Sequence, residues 1–380
     1  MDGMMVRDAG ADDALVATLA AHAADVDRTG RFPWESLEAL REAGLLALTA
    51  RREDGGQEAG LAASVELVRR VGRGCASTAL ILAMQLTHLH AIAHADWPEH
   101  LRARVSRGAG RCGALINALR VEPALGSPAR GGLPETVARR TADGWSICGR
   151  KIYSTGAPGL TWMLVFARTD EDTPRVGQFL VPARSAGVRI EETWDQLGLR
   201  GSGSHDVIFE DVAIPADHAV DVRAPAGWGR RDADGAAWIA LPIAALYTGV
   251  AEAARDWTLT FLRERVPANL GAPLATLPRA QEAMGRIEAL LLANRRLIAG
   301  AASDADAGRP PAPQESGLIK TVAAENAIEA VQAALQLAGN HGLSRANPLE
   351  RHLRDVLCAR VHTPQPDAAY VAAGRVALGL

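Results

Sequence analysis

The sequence predicts a mostly α, α+β fold in three successive parts: helices, an antiparallel β region, and helices again. Three observations carry this. Apolar residues recur at three- and four-residue intervals toward both ends of the chain, which is the helical period. Between about Gly113 and Ala216, Gly and Pro punctuate short apolar runs, the texture of strands and turns. No strand–helix–strand alternation joins those runs and no GxGxxG follows a strand, so a Rossmann dinucleotide site is not supported.

The elements follow in order. LVATLAAHAADV and SLEALREAGLLAL are helical, with Pro33 opening the second, and RREDGGQEAG is a polar break. CASTALILAMQLTHLHAIAH is apolar on every face and reads as a buried helix. Strands then come from TVARRTADGWSICGRKIYS, WMLVFART, GQFLVPA, GVRIEETW and HDVIFEDVAIP, and Asp143-Gly144 between two alternating runs is a hairpin signal. Beyond Gly235 the helices are WIALPIAALYTGVAEAARDWTLTFLRERV, AQEAMGRIEALLLANRRLIAGAA, SGLIKTVAAENAIEAVQAALQLAG and a fourth from Pro348 to His362, with GRPPAPQES a loop. The domains are accordingly placed at residues 1–112, 113–225 and 226–380.

Composition removes several classes of function. Lys and Arg number 41 against 44 Asp and Glu, a net charge of −3, which gives no electrostatic footprint for nucleic acid. Cys75, Cys112, Cys148 and Cys358 are too widely spaced for a zinc ribbon or a disulfide framework, and no metal site is expected. The N-terminus lacks the basic-then-apolar profile of a signal peptide. No uncharged apolar stretch of about 18 residues is expected, and hence no membrane span. The expectation is a cytoplasmic protein with reduced thiols.

Three segments together point to a family. GRKIYSTGAPGLTWMLVFART, WDQLGLRGSGSHDVIFEDVAIP and QLAGNHGLSRANPLERHLRDV occur in this order, and the chain from about Arg41 onward resembles the acyl-CoA dehydrogenase superfamily. The resemblance implies a central β-barrel, a C-terminal four-helix bundle, a flavin between them, and assembly as a tetramer or dimer. By their types alone, Tyr153, Ser154 and Thr155 end a strand, with Thr155-Gly156 forming a turn. The resemblance makes them flavin contacts, with Thr155 the nearest hydroxyl. It also assigns Arg265 and Gln281 to the flavin phosphates, where a guanidinium binds oxygens bidentately; a solvated helix end explains the arginine equally well. Gly339, Asn340 and Gly342 in GNHGL read as a helix cap and, by resemblance, as backbone close to the cofactor. Arg351, Arg354 and Asp355 read as a structural salt-bridge set.

The family's dehydrogenases remove a proton beside a thioester with a glutamate. One family location follows the Arg-Asp pair, and there the chain has His362-Thr363; the other lies early in the first bundle helix, where GAAWIALPIAALYTG has no acid. His362 in this spacing resembles the branch of reduced-flavin-dependent monooxygenases similar to dibenzothiophene monooxygenase. QLTHLHAIAH fits that branch, with His90 assigned and His88 the alternative, and Asn117 matches a polar position of its sulfur-oxidising members. The catalytic set expected is therefore His362, His90, Thr155 and Asn117. An imidazole can pass a proton near neutral pH. The expected cofactor is FMN or FAD, supplied reduced by a separate flavin reductase, and the expected substrate a small organic molecule. A dehydrogenase with an atypical base and a catalytically silent member remain alternatives.

Overall fold

Proline marks where several helices begin, because a first-turn residue needs no backbone donor. Pro33 and Pro98 stand one residue ahead of α2 (Trp34–Glu42) and α5 (Glu99–Cys112). The computed structural model describes residues 9–124, 132–228 and 232–380. Its first layer also contains α1 (Ala9–Thr29), α3 (Leu61–Gly74) and α4 (Ala76–His94).

The β layer holds β1 (Leu115–Leu119), β2 (Val137–Arg140), β3 (Gly144–Lys151), β4 (Leu160–Thr169), β5 (Val176–Pro182), β6 (Val188–Glu191), β7 (Asp206–Pro215) and β8 (Ala219–Arg223). The helices that follow are α6 (Ala233–Glu264), α7 (Pro278–Asp306), α8 (Pro313–Ala338), α9 (Asn340–Leu343), α10 (Leu349–Leu357) and α11 (Pro366–Ala377). Helix α8 begins inside the segment read as a loop, since Pro313 occupies a first-turn position that needs no N–H.

The sheet corrects two expectations. It is mixed, because β1 and β2 both run parallel to β4, end to end along it: Ile116 faces Trp162 and Val137 faces Arg168. It is also open, in the order β6-β7-β3-β2-β4-β5-β8, and does not close into a barrel. The parallel pair arises because β1 and β4 both enter from the helical layer. Gln85 of α4 accepts from Ile116 N at 2.8 Å, and Gly159, just before β4, packs on Phe32. At the ends, β6 and β8 are only four and five residues long, so each pairs with one neighbour and stops. The Asp143-Gly144 hairpin joins β2 to β3, with Thr141 N donating to Gly144 O at 3.0 Å.

Helix α6 is the central column, packed on α3, α4, α7, α8 and α10. Pro242 lies inside it, and its missing N–H frees the carbonyl four residues earlier, that of Trp238. Thr87 Oγ1 of α4 fills that vacancy at 3.0 Å, so the proline defect becomes a bond between layers. Helix α4 is an uncharged apolar stretch of 19 residues, contrary to expectation, and α6 is also long and apolar enough to cross a membrane; their apolar windows are 78% and 83% covered by protein, as core helices are.

A close junction is the segment Leu197–His205, which bonds to α1, α4 and α10. Leu199 N donates to Asp355 Oδ1 at 2.7 Å, Arg200 Nε to Asp27 O at 2.8 Å, and Gly201 N to Ser77 Oγ at 3.2 Å. Arg354 donates to Leu197 O and pairs with Asp27 and Glu350. A Cβ on Gly198 would stand 2.3 Å from the backbone oxygen of Arg354. Backbone cannot swing aside as a side chain can, so Gly198→Ala should destabilise the fold by about 1–3 kcal/mol. Denaturant unfolding at neutral pH checks this.

Candidate active site

The segment 153–157 is bound to 202–205 by backbone bonds: Ser154 N to His205 O, Gly156 N to Ser202 O and Ala157 N to Gly203 O. This register brings side chains from two distant stretches together. Ser204 Oγ donates to Thr155 Oγ1 at 3.0 Å, so Ser202 Oγ, 2.8 Å away, donates to Ser204. The hydroxyls thus point one way, and Thr155, accepting from Ser204, keeps its own proton free to donate onward. Gly203 makes the contact possible, with φ +55° and Phe32 and Pro158 where a Cβ would go.

Asn117 on β1 completes the cluster. Its Nδ2 donates to Thr155 O at 2.9 Å, while its Oδ1 accepts from Ala118 N at 2.8 Å. His88 Nε2 lies 3.1 Å from the same Oδ1 and donates to it in the tautomer protonated there. Tyr153 has a left-handed backbone (φ 55°), uncommon for an aromatic residue, and an exposed ring set edge-on to Trp194. Ser154 is buried, and its Oγ has no hydrogen-bond partner.

His90 lies elsewhere. It stacks on Trp238 at 3.8 Å between ring centroids, and its Nε2 meets Asp234 Oδ2 at 3.1 Å. The structure therefore joins Asn117 and Thr155 to His88, and directs His90 toward the first turns of α6.

His362 follows α10 and a single 3₁₀ turn, and is partly exposed. Its Nδ1 is 2.6 Å from the hydroxyl of Tyr247 on α6, and its backbone oxygen accepts from Lys320 Nζ at 2.7 Å. Burial, reinforced by the cation of Lys320, lowers its pKa to about 4. Trp238, beside His90, and Tyr247, beside His362, are nine residues apart, about 14 Å along α6.

The remaining candidates lie on the surface of the bundle. Arg265 is exposed at the end of α6. Gln281 is exposed and donates to Ala275 O at 3.1 Å. Gly339 ends α8 at φ 55°, Asn340 is exposed, and Gly342 is buried against Leu335 and Leu349. Near the end of α6, a groove of about 540 Å³ is lined by Leu262, Arg279, Arg286 and Glu329 among others, and by none of His88, Asn117, Thr155 or His362. Among the described residues no three His, Cys, Asp or Glu gather as a metal site.

Sequence reading missed Ser202, Ser204 and Tyr247. The first two were visible in GSGS, where small residues permit close backbone approach, and the third as a lone phenol in an apolar helix.

Comparison with known proteins adds family context. The acyl-CoA dehydrogenase N-terminal, middle and C-terminal domain models match residues 4–96, 120–212 and 241–365. The putative acyl-CoA dehydrogenase YdbM of Bacillus subtilis (strain 168) is 35% identical, over 92% of this chain and 90% of its own. KijD3, solved in complex with FMN and dTDP-3-amino-2,3,6-trideoxy-4-keto-3-methyl-D-glucose, is 28% identical with a TM-score of 0.85, covering 97% of this chain and 92% of its own. A nitrososynthase from Micromonospora carbonacea var. africana is 26% identical with a TM-score of 0.84, covering 97% and 95%.

Two imidazoles with lowered pKa give a pH signature. His352 is lowered to about 3 by burial and by Arg351, alongside His362 at about 4. An unfolded imidazole takes its proton near 6.5, so below that pH the unfolded chain gains protons that the folded rings refuse. Stability is full above about pH 6.5 and falls toward pH 4, by up to about 1.4 kcal/mol per pH unit for each ring. Asp355, raised by burial to about 6, acts oppositely as pH falls from 6 toward 4, but is one group against two. Unfolding at pH 7 and pH 5 should show this loss, and a smaller loss in His362→Gln.

Proposed function

The chain belongs to the acyl-CoA dehydrogenase family, and within it we propose that it is a flavin-dependent monooxygenase oxygenating a small organic substrate. The observation that carries this reading is the missing carboxylate. His362-Thr363 stands where dehydrogenases of the family carry their glutamate, and at the start of α6 the acids are the N-cap Asp232, which accepts from Gly235 N, and Asp234, which is paired with His90. Abstraction of a proton beside a thioester then lacks the glutamate that the family uses for it.

The residues present fit a flavin. The unpartnered buried Ser154 Oγ, the donor chain ending at Thr155 and the exposed ring of Tyr153 are a polar edge and an aromatic face in search of a planar ligand. Tyr153, Ser154 and Thr155 would hold its ring system. Arg265, Gln281 and the backbone at Gly339, Asn340 and Gly342 would serve its phosphates, from a second copy in a homo-oligomer, because Arg265 and Gln281 are exposed. Reduced flavin, FMN or FAD delivered by a separate reductase, supplies the electrons that activate oxygen. The protein's part is to donate hydrogen bonds from Thr155, keep His88 fixed through Asn117, and keep water from the reacting atoms with apolar helix surface. The FMN bound to KijD3 and the name of the nitrososynthase support this reading. The higher identity to YdbM favours the second one, a dehydrogenase-like oxidoreductase with an atypical base.

His362→Ala tests the proposal with reduced FMN, oxygen and a panel of small amines and aromatic heterocycles. Flavin affinity should hold while oxygenated product falls about 10²- to 10³-fold and hydrogen peroxide takes its place. Equal product and peroxide yields in both proteins would contradict the role of His362.

A further inference from the structure

Helix α6 is apolar from Ala236 through Leu246, and then presents a phenol. Tyr247 is fully buried, and a buried hydroxyl left unbonded carries a desolvation penalty. Among the described residues its hydroxyl bonds to one group, His362 Nδ1 at 2.6 Å, with ring centroids 5.8 Å apart. Burial lifts the ionisation of Tyr247 well above the usual phenol range, so the hydroxyl keeps its proton and can give it only to Nδ1. A nitrogen that accepts through its lone pair bears no proton, which leaves the ring's proton on Nε2. The backbone end of the residue is held as well. Lys320 Nζ, on α8, donates to both Ala359 O and His362 O at 2.7 Å.

We propose that Tyr247 is a positioning residue for His362, fixing its imidazole as the neutral Nε2–H tautomer so that the side chain offers a hydrogen-bond donor rather than a base. The inference rests on the reading of His362 as the imidazole of the active site. It gives that reading a chemical sense: a ring already protonated on Nε2 cannot abstract a proton there, but can hold an oxygen or a substrate acceptor by donating to it. A partner bonded to the far nitrogen is how a protein selects an imidazole tautomer.

The test is long-range ¹H–¹⁵N NMR of the full-length protein labelled at histidine, with His362→Gln to assign the resonance. At neutral pH the wild type should show His362 as a single tautomer, protonated on Nε2 and bare on Nδ1. Tyr247→Phe should turn this into a mixture, leave flavin affinity and KM unchanged, and lower kcat for oxygenated product roughly 10- to 100-fold. A wild-type ring protonated on Nδ1, or an unchanged single tautomer in Tyr247→Phe, would overturn the proposal. If the variant fails to fold, the wild-type spectrum decides alone. The tautomer measurement needs no turnover, so its failure is separable from failure of the oxygenase reading, which His362→Ala tests.

Discussion

Arg354 joins three distant stretches of chain through one guanidinium. It pairs with Asp27 of α1, with Glu350 one helical turn back, and with the carbonyl of Leu197. Asp355, its neighbour, takes the backbone N–H of Leu199. Breaking one member of such a partly buried set leaves its partners without compensation, which is why removal costs more than the set contributes over an apolar alternative. Here the return is geometric. The segment it holds continues into Ser202 and Ser204, the hydroxyls that orient Thr155. The conformation of the candidate site is thus tied to α1 and α10.

Helix α6 imposes the second constraint. Its internal proline opens a carbonyl that Thr87 closes, and the same turn of α4 carries His88 and His90. Two residues apart on a helix differ by about 200° in direction, so one histidine meets the sheet at Asn117 while the other meets α6 at Asp234 and Trp238. One helix therefore builds both a polar site contact and an interlayer stack. Further along α6, Tyr247 does for His362 what Asn117 does for His88: it gives one ring nitrogen a fixed partner.

These particulars explain what the sequence disclosed. Asp143-Gly144 marked its hairpin by breaking two alternating runs, although the turn itself falls on Ala142 and Asp143, and Gly144 already opens β3. The long helices were legible from their period. Arg354 and Asp355 were readable as structural because paired charges inside ERHLRD suit an interior clamp. Between His88 and His90 the choice of His90 came from the resemblance alone, since α4 is apolar all round and shows no face by which its own residues could decide. Nor could alternation in the strands reveal whether β6 and β8 meet, for closure depends on pairing between ends, not on the residues of any one strand. The Tyr247–His362 bond spans 115 residues, and local pattern cannot anticipate it.

The central claim is that this acyl-CoA dehydrogenase fold carries an imidazole donor where its dehydrogenating relatives carry a base. Anaerobic titration of the flavin-loaded protein with butyryl-CoA and longer acyl-CoA thioesters tests it directly. A dehydrogenase takes hydride from the thioester and loses the visible absorbance of its oxidised flavin. The account predicts that the absorbance persists with every thioester; bleaching by any one of them would contradict it.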